Sequence, residues 1–165
     1  MPPLPTTRVE FRVWRASDAD LAARVWCDPQ VMRFIGGPYS DREITARLAR
    51  EEANEAALGI QYWPVFVAGA FAGCCGLKPH ESGHPVYETG FHFLPDFWGA
   101  GYAAEAARAV IGYAFDVVGA AALLAGRHPE NEASHKLLTR LGFTRIGTHF
   151  FARTGLDHPL YRLDR

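Results

Sequence analysis

A glycine-containing segment between a predicted strand and a predicted helix carries the strongest chemical signal in the sequence. Residues 97–103 read FWGAGYA, so small side chains leave backbone N–H groups free to point at one spot. The start of the helix that follows adds unpaired N–H groups and the positive end of the helix dipole. Together these groups suit a pyrophosphate. A tight turn that needs glycine only for its shape would contain the same residues.

The same segment also matches the dinucleotide-binding pattern G-x-G-x-x-A of oxidoreductases. Arg127, predicted at the end of the next strand, could then bind a 2′-phosphate. The placement argues against this interpretation, because about 98 residues precede the segment and about 60 follow it, too few for the second half of that fold. A predicted hairpin upstream also implies antiparallel strands, with which that fold does not begin.

Two polar residues downstream could contact the same ligand. Asn131 and Ser134 are three residues apart, which places them on one face at the start of a predicted helix. An N-cap role is the simpler interpretation of Asn131 taken alone. Only the combination with the glycine-containing segment favours a binding role.

These residues must be positioned by a chain of alternating strands and helices. Apolar periodicity, capping residues and glycine breaks delimit each element. The predicted strands cover 9–14, 62–68, 72–77, 87–94, 121–125, 144–153 and 160–163. The predicted helices begin at Ser17, Asp28, Ser40, Tyr102 and Asn131, with the third ending near Leu58 and the fourth near Val118. This order indicates one mixed α/β domain over residues 1–165, without a linker.

The composition argues against several classes of function. A formal net charge of −1 gives no reason to expect nucleic acid or a membrane surface as a partner, and no run of ~18 apolar residues could span a bilayer. The cysteines include the adjacent pair Cys74 and Cys75, which is no disulfide framework, fits a reducing cytoplasm and would face opposite sides of a strand. The segment 80–84 holds two histidines, but Gly83 and Pro85 prevent a helix that would bring them together, so we expect no metal.

The order and spacing of several short motifs resemble the GNAT superfamily of N-acetyltransferases, in particular the branch with the ribosomal-protein alanine acetyltransferases. The resemblance extends over nearly the whole chain. It rests on the segments 14–16 (WRA), 28–32 (DPQVM), 87–90 (YETG), 97–106 (FWGAGYAAEA), 129–134 (PENEAS) and 141–143 (LGF). It implies a mixed α/β (α+β) fold with a twisted, mostly antiparallel sheet of about seven strands and helices on both faces, and acetyl-coenzyme A (acetyl-CoA) as the acetyl donor.

The resemblance also assigns residues to the binding of acetyl-CoA. Those around the pyrophosphate would be Trp98, Gly99, Ala100, Gly101, Tyr102 and Ala103. Phe93 and Leu94 would pair their backbone with the pantetheine arm in a splayed gap beside the fourth strand. Asn131 would hydrogen-bond the arm, and Ser134 would lie near the thiol sulfur. Trp98 stands at the first position of the family pattern Q/R-x-x-G-x-G/A, so we expect the phosphate contacts to come mainly from backbone N–H groups.

The implied reaction is direct attack of an amine on a thioester, which requires a neutral amine. An alkyl amine has a pKa near 10.4, so supplying the neutral form at pH 7 costs about 4–5 kcal/mol. Glu88 and His92 are the candidate bases, because they share one face of the fourth predicted strand on either side of Gly90. Glu88 could instead bond the backbone, and His92 could be a half-buried structural residue. Ser134 is the candidate acid, or it could only orient the thioester.

We therefore expect an acetyl-CoA-dependent N-acetyltransferase that is cytoplasmic, acts as a monomer or homodimer, and has neither nucleic acid nor a membrane as partner. A sensor of acyl-CoA without turnover and a nicotinamide-dependent oxidoreductase stay open as alternatives. The amine acceptor would contact the region 17–58 and the loop 147–159. The mixed charges and aromatic residues there leave protein N-termini, polyamines, amino acids and drugs all open.

Overall fold

Seven strands form one sheet with helices against both of its faces in the computed structural model, which describes residues 1–165. The strands are β1 (Val9–Phe11), β2 (Tyr62–Val67), β3 (Ala70–Pro79), β4 (Val86–Phe93), β5 (Ala122–Gly126), β6 (Thr144–Phe151) and β7 (Leu156–Asp164). The helices are α1 (Ala19–Trp26), α2 (Pro29–Met32), α3 (Asp41–Leu58), α4 (Tyr102–Tyr113) and α5 (Glu132–Arg140). None of these helices is long and apolar enough to cross a membrane. The architecture confirms the predicted mixed α/β fold.

The sheet is antiparallel apart from one central pair of strands. The strand order is β1-β2-β3-β4-β5-β7-β6, and only β4 and β5 run parallel to each other. The hairpin predicted between β2 and β3 is present, with its turn at Ala68 and Gly69. A mostly antiparallel sheet is incompatible with the doubly wound parallel sheet of the dinucleotide-binding fold, so the oxidoreductase interpretation is wrong.

Capping residues fix both ends of α3, the longest helix. The Ser40 hydroxyl accepts a hydrogen bond from the N–H of Glu43, and the Glu43 carboxylate accepts one from the N–H of Ser40 at 2.8 Å. This reciprocal pair is the capping box that the sequence predicts. At the other end Gly59 has a φ of 68°, a left-handed conformation that glycine adopts without strain. Asp28 caps α2 through its side chain, also as predicted.

The sheet carries a separate apolar core on each face. The first core lies between the sheet and the helices α4 and α5, and the second lies between the sheet and α1, α2 and α3. Cys75 belongs to the first core and Cys74 to the second, and both are buried. The adjacent cysteines of β3 therefore face opposite sides of the sheet, as their positions on one strand predict.

The last strand is longer than predicted and contains a proline. β7 begins at Leu156 rather than at Leu160, with Pro159 inside it. Proline cannot donate to a strand ladder, which is why the sequence pattern places the strand after it. Pro159 is tolerated because it pairs with Thr148 of β6 alone, whereas the pairing of β7 with β5 begins only at Leu160.

The first strand is shorter than predicted, because a buried side chain replaces its ladder. β1 ends at Phe11, and the N–H of Trp14 donates to the side-chain oxygen of Gln61 at 2.9 Å. The side-chain nitrogen of Gln61 in turn donates to the carbonyl oxygen of Glu51 at 3.0 Å. Gln61 therefore joins the start of the chain to α3 in the interior.

Gly76 of β3 packs so closely against the backbone of Gln61, just before β2, that no side chain fits between them. A Cβ at this position would collide with the carbonyl oxygen of Gln61, which cannot move aside as a flexible side chain could. We expect Gly76→Ala to lower the free energy of unfolding by about 1–3 kcal/mol or more, the usual cost of overpacking. Urea unfolding measures the change.

The matched control is Gly112, which lies inside α4 with open space around its Cβ position. Gly112→Ala should raise the free energy of unfolding by about 0.5–1 kcal/mol, because alanine is the better helix former. Similar effects of the two substitutions would contradict the packing argument.

Candidate active site

A gap opens in the centre of the sheet between β4 and β5. These parallel strands pair only from Val86, opposite Ala122, to Glu88, opposite Leu124. β4 nevertheless continues beside β3 as far as Phe93. Beyond Glu88 the inner edge of β4 has no neighbouring strand, so its backbone groups on that side are left for a ligand.

The direction of the backbone at the end of β4 decides which residues face the gap. The N–H of Leu94 donates to the carbonyl oxygen of Ala72 in β3 at 2.9 Å. Because the hydrogen-bonding direction alternates along an antiparallel strand, Phe93 and Phe91 direct their backbone groups toward the gap. The assignment of Phe93 to the pantetheine arm stays a prediction, which this direction of its backbone allows. The geometry corrects the assignment of Leu94, whose N–H already bonds within the sheet.

The indole of Trp98 ties the glycine-containing loop to the end of β4. Its Nε1 donates to the carbonyl oxygen of Phe93 at 2.6 Å, although Trp98 is 52% exposed. Trp98 therefore contributes to the shape of the loop. The N–H of Phe93 and the backbone groups of Phe91 are left facing the gap.

The loop before α4 presents backbone N–H groups at the start of that helix. Gly99 and Gly101 have φ values of 77° and 84°, in the left-handed region that favours glycine. Gly101 is the N-cap of α4, and no side chain caps the helix, so its first N–H groups are available to an anion. Both glycines line the cleft together with Tyr102 and Ala103, whereas Ala100 does not.

The N-terminal segment braces this loop from outside. Arg8 donates to the carbonyl oxygen of Ala100 at 3.1 Å and, through Nε, to the carboxylate of Glu105 in the first turn of α4 at 2.7 Å. The Thr6 hydroxyl also donates to Glu105, at 2.6 Å. The bonds from Thr6 and Arg8 lower the pKa of Glu105. Its carboxylate is therefore ionised, which is favourable at a helix N-terminus.

Asn131 and Ser134 meet at the start of α5, on the other side of the gap. The side-chain oxygen of Asn131 accepts a hydrogen bond from the N–H of Ser134 at 3.1 Å, which fulfils the predicted cap. The amide nitrogen of Asn131 and the hydroxyl of Ser134 have no hydrogen-bond partner in the chain, and both residues line the cleft. Each residue therefore keeps one polar group for a ligand.

Glu88 lies where β4 and β5 separate. Its Oε2 contacts the ammonium group of Lys78 on β3 at 2.7 Å, with both side chains about one-third or more exposed. Its Oε1 has no partner in the chain and the residue lines the cleft. Because exposed ion pairs contribute only about 0–1 kcal/mol, Lys78 mainly orients the carboxylate.

His92 lies in aromatic surroundings at the end of β4 and also lines the cleft. Its Nδ1 accepts a hydrogen bond from Nε1 of Trp26 at 3.4 Å and lies 3.8 Å from Sγ of Cys74. Burial, together with the positive charges of Arg47 and Lys78, lowers the pKa of His92 to about 3. A group with this pKa is neutral at pH 7 and accepts protons poorly. The geometry therefore favours the structural interpretation of His92 over the catalytic one.

A buried ion pair of α3 lies beneath the cleft. Its residues are not among the site residues assigned from the sequence. Arg47 bonds the carboxylate of Glu51, whose second oxygen accepts the N–H of Tyr62 at 2.8 Å. The Arg47 guanidinium lies 5.0 Å from the ring of Trp26 and 4.9 Å from that of Tyr62. The one sequence feature that could have indicated this pair is that Glu51 shares the buried stripe of α3 with Ile44. The pair anchors α3 to β2 under the cleft.

Three histidines from separate segments of the chain lie close together in the wall of the cleft. The ring of His158 lies 5.4 Å from that of His128 and 5.9 Å from that of His149, and all three line the cleft. His158 is buried, and this burial, with the two neighbouring imidazoles, lowers the pKa of His158 to about 4. The cluster has no signature in the sequence, because the residues come from the loop after β5, from β6 and from β7.

A cleft of about 1130 Å³ joins most of these groups. Its volume is above the ~300–1,000 Å³ of ordinary small-molecule sites, so two substrates fit together. Every site residue assigned from the sequence lines it except Leu94 and Ala100. No group of three or more His, Cys, Asp or Glu side chains is arranged to hold a metal ion.

Comparison with known proteins agrees with this geometry. The family model described as the acetyltransferase (GNAT) domain matches residues 8–144. The chain belongs to the GNAT acetyltransferase family. This GNAT chain is 32% identical over 143 residues to the uncharacterized protein YkkB of Bacillus subtilis (strain 168), covering 84% of this chain and 83% of YkkB. It is 30% identical over 159 residues to FsC-acetyl coenzyme A-N(2)-transacetylase of Aspergillus fumigatus, covering 90% of this chain and 68% of that protein.

Solved acetyltransferase structures share the fold of this GNAT chain. The acetyltransferase from Agrobacterium tumefaciens str. C58 superposes with a TM-score of 0.85 at 24% identity, covering 100% of this chain and 95% of that chain. RimL, a ribosomal L7/L12 alpha-N-protein acetyltransferase, superposes with a TM-score of 0.82 at 16% identity, covering 99% and 94%. The fold neighbours thus include ribosomal-protein acetyltransferases, the branch that the sequence motifs resemble. The chain is an acyltransferase of the GNAT type.

The two histidines with lowered pKa values should make the stability of the folded GNAT chain sensitive to acid. His92 and His158 have pKa values of about 3 and about 4, below the ~6.5 of an unfolded histidine. Below pH ~6.5 the unfolded chain therefore binds more protons than the folded chain, and stability decreases as the pH falls toward ~4. We expect His158→Gln, which cannot be protonated, to lose less free energy of unfolding between pH ~7 and ~5 than the wild type.

Urea denaturation at several pH values measures this difference. The matched control is His84→Gln, because His84 is exposed in the loop before β4. This variant should follow the wild type. An identical pH dependence in all three proteins would contradict the assignment of His158.

Proposed function

We propose that this GNAT acyltransferase moves the acetyl group of acetyl-CoA to a primary amine by direct attack. The observation that carries the proposal is the gap between β4 and β5, because it leaves an unpaired strand edge beside an uncapped helix start. One relative is named for transacetylation from acetyl coenzyme A at an N(2) position, which supports a nitrogen as the acceptor atom.

The cofactor would lie along three surfaces of the cleft. Its pyrophosphate would accept hydrogen bonds from the N–H groups at the start of α4, next to Gly101. Its pantetheine arm would pair with the backbone of Phe93 and accept a bond from the side-chain amide of Asn131. Lys136 and Arg140 on α5 also line the cleft and would attract the phosphates.

The chain's own groups suit the chemistry of the transfer. The amine nitrogen attacks the thioester carbon, the C–S bond breaks, and the amine loses one proton as the thiolate leaves. The N–H of Phe91, which also faces the gap, would stabilise the negative charge that develops on the carbonyl oxygen. The free oxygen of Glu88 would accept the amine proton directly or through a water molecule. The unpaired hydroxyl of Ser134 would donate to the sulfur, which leaves readily because a thiol has a pKa of only about 8.5.

The cysteines support a reducing compartment such as the cytoplasm. All three are unpaired, and Cys74 and Cys75 are buried. Unpaired cysteines are typical of proteins kept in reducing surroundings. We therefore include a cytoplasmic location in the proposal.

Two measurements test the proposed function directly. Calorimetry with acetyl-CoA reports binding, and detection of free CoA thiol in the presence of a panel of amines reports turnover. Binding with amine-dependent thiol release would support acetyl transfer. Binding without release with any amine would favour an acyl-CoA sensor, and absence of binding would contradict both.

Gly101→Val should weaken acetyl-CoA binding by about tenfold or more, the effect of losing one or two hydrogen bonds to a charged group. Valine at a φ of 84° is strained, and its side chain obstructs the approach of phosphates to the N–H groups. Calorimetry measures the affinity, and circular dichroism verifies the fold. The matched control is Gly69→Val, because Gly69 has a similar φ of 77° in the β2–β3 turn, outside the cleft. Equal losses in the two variants, or unchanged affinity in a folded Gly101→Val, would contradict the assigned role.

Glu88→Gln should lower the rate of acetyl transfer by ~10²-fold or more at pH ~7, within the usual range for a lost general base. The loss should become smaller at high pH, where more of the amine is already neutral. His92→Gln should cost less than about tenfold, because the low pKa of His92 makes it a poor base.

The pH–rate profiles of both variants with an active acceptor measure these effects. A large pH-dependent loss in His92→Gln, with Glu88→Gln near the wild type, would reverse the assignment. Small losses in both variants would indicate proton removal through water without a dedicated base.

A further inference from the structure

The histidine subsite, defined as His128, His149 and His158, lines the reaction cleft but has no part in the steps described above. The ring of Phe34 packs on His128 with the ring centres 5.0 Å apart, and the ring of Phe151 packs on His158 at 4.9 Å. Polar imidazole nitrogens are thereby set between two aromatic side chains. Such a surface suits a molecule with one polar group beside an apolar body.

Hydrogen bonds within the chain fix the tautomers of two of the rings. The N–H of Glu130 donates to Nδ1 of His128 at 3.1 Å, so the neutral ring carries its proton on Nε2. The Thr154 hydroxyl donates to the carbonyl oxygen of Phe151 at 3.2 Å and therefore accepts from Nε2 of His158 at 2.8 Å. His128 thus keeps an N–H donor on Nε2 that no group of the chain accepts, and the residue lines the cleft next to His158.

His149 supplies a second donor to the subsite. Its Nδ1 is buried without a partner, and a buried unpaired N–H is rarer than a buried unpaired acceptor, so the proton belongs on Nε2. Nε2 also has no partner in the chain but is not among the fully buried unpaired atoms, and His149 lines the cleft. Gly126 leaves room for the ring of His149, because a Cβ at residue 126 would collide with that ring.

The subsite lies beyond the point where β4 and β5 separate, as does the place proposed for the thioester. Glu88 and Leu124 are the last residues that β4 and β5 pair across the gap. His92 follows Glu88 by four residues on one side, and His128 follows Leu124 by four residues on the other. A molecule bound at His128 would therefore lie across the gap from the end of β4, where the amine must reach the carbonyl carbon.

The charges of the cleft restrict the acceptor further. The only carboxylates that line it belong to Glu51 and Glu88, and each is paired with a cation, Arg47 or Lys78. The other cationic side chains that line it are Arg50, Arg127, Lys136 and Arg140. With Glu88 facing the reacting amine, a polyamine would find no further carboxylate for its additional ammonium groups, and the cations would repel them.

We propose that the Nε2–H groups of His128 and His149 bind an oxygen atom of the acceptor, which is therefore an amine with a carbonyl or carboxylate oxygen close to its nitrogen, as in an α-amino acid or its amides. Phe34 and Phe151 contact the adjoining apolar part of that molecule. This inference rests on the proposed acetyl transfer, since it names the acceptor class of the same site.

Calorimetric titration of the CoA-bound protein with matched amines tests this inference without requiring turnover. L-Phenylalaninamide and 2-phenylethylamine share an aromatic ring and an amine and differ by one carboxamide, and L-phenylalanine carries a carboxylate instead. We expect at least one of the two oxygen-bearing amines to bind about tenfold or more tightly than 2-phenylethylamine, the value of one or two hydrogen bonds. Tighter binding of the amide would indicate a peptide-like acceptor, and tighter binding of the acid a free amino acid. Spermidine should not bind more tightly than 2-phenylethylamine.

Two substitutions of one residue link this preference to the subsite. His149→Leu removes Nε2 but keeps an apolar side chain, and it should reduce the preference to about threefold or less. His149→Gln places an amide donor near the position of Nε2 and should preserve the preference. His84→Leu, outside the cleft, is the matched control. The preference is the ratio of two affinities measured with the same protein. Partial unfolding of a variant lowers both affinities alike and therefore does not change this ratio.

The inference and the proposed function fail in different ways. Absence of CoA binding would overturn the proposed function and the inference with it. CoA binding with amine-dependent thiol release but equal binding of the oxygen-bearing and oxygen-free amines would overturn the inference alone. CoA binding without binding of any of these amines, tighter binding of spermidine, or an unchanged preference in His149→Leu would also overturn it.

Discussion

The separation of β4 from β5 is the constraint on which the whole site depends. Each strand keeps its outer neighbour past the point of separation, since β4 pairs with β3 up to Phe93 and β5 pairs with β7 up to Gly126. Parallel neighbours need a long crossover between them, usually a helix, and here α4 is part of that crossover. α4 therefore begins soon after the end of β4. The unpaired strand edge and the uncapped helix N-terminus thus arise together from the crossover between the two parallel strands.

The features that the sequence predicts well are those set by residues only a few positions apart. The capping box at Ser40, the Asp28 cap and the Asn131 cap each depend on one turn of chain. The assignment of Leu94 went wrong because the direction of its N–H depends on its register with Ala72 of another strand. Register is a property of the whole sheet, and the local pattern around residue 94 does not contain it.

The surroundings of the candidate bases could not be predicted, although their common face could. Strand alternation correctly places Glu88 and His92 on one side of β4, and both line the cleft. Glu88 keeps contact with solvent and with Lys78, whereas His92 is enclosed by Trp26 of α1 and Cys74 of β3. Tertiary packing thus separates two residues that look equivalent in the sequence. The histidine subsite is hidden for the same reason, since three distant segments must fold before its rings meet.

The positive charge of the cleft bears on the chemistry as well as on binding. Like charges nearby disfavour the protonated form of an amine, so an amine entering between these cations loses its proton more readily than in water. Each unit by which the amine pKa is lowered removes about 1.36 kcal/mol from the ~4–5 kcal/mol needed for the neutral form. His92 and His158 stay uncharged at pH 7, because their pKa values are about 3 and about 4, and so they do not take up the released proton. In the proposed reaction the cations that the phosphates of the donor leave unneutralised would therefore also favour the neutral amine, and Glu88 would complete its deprotonation.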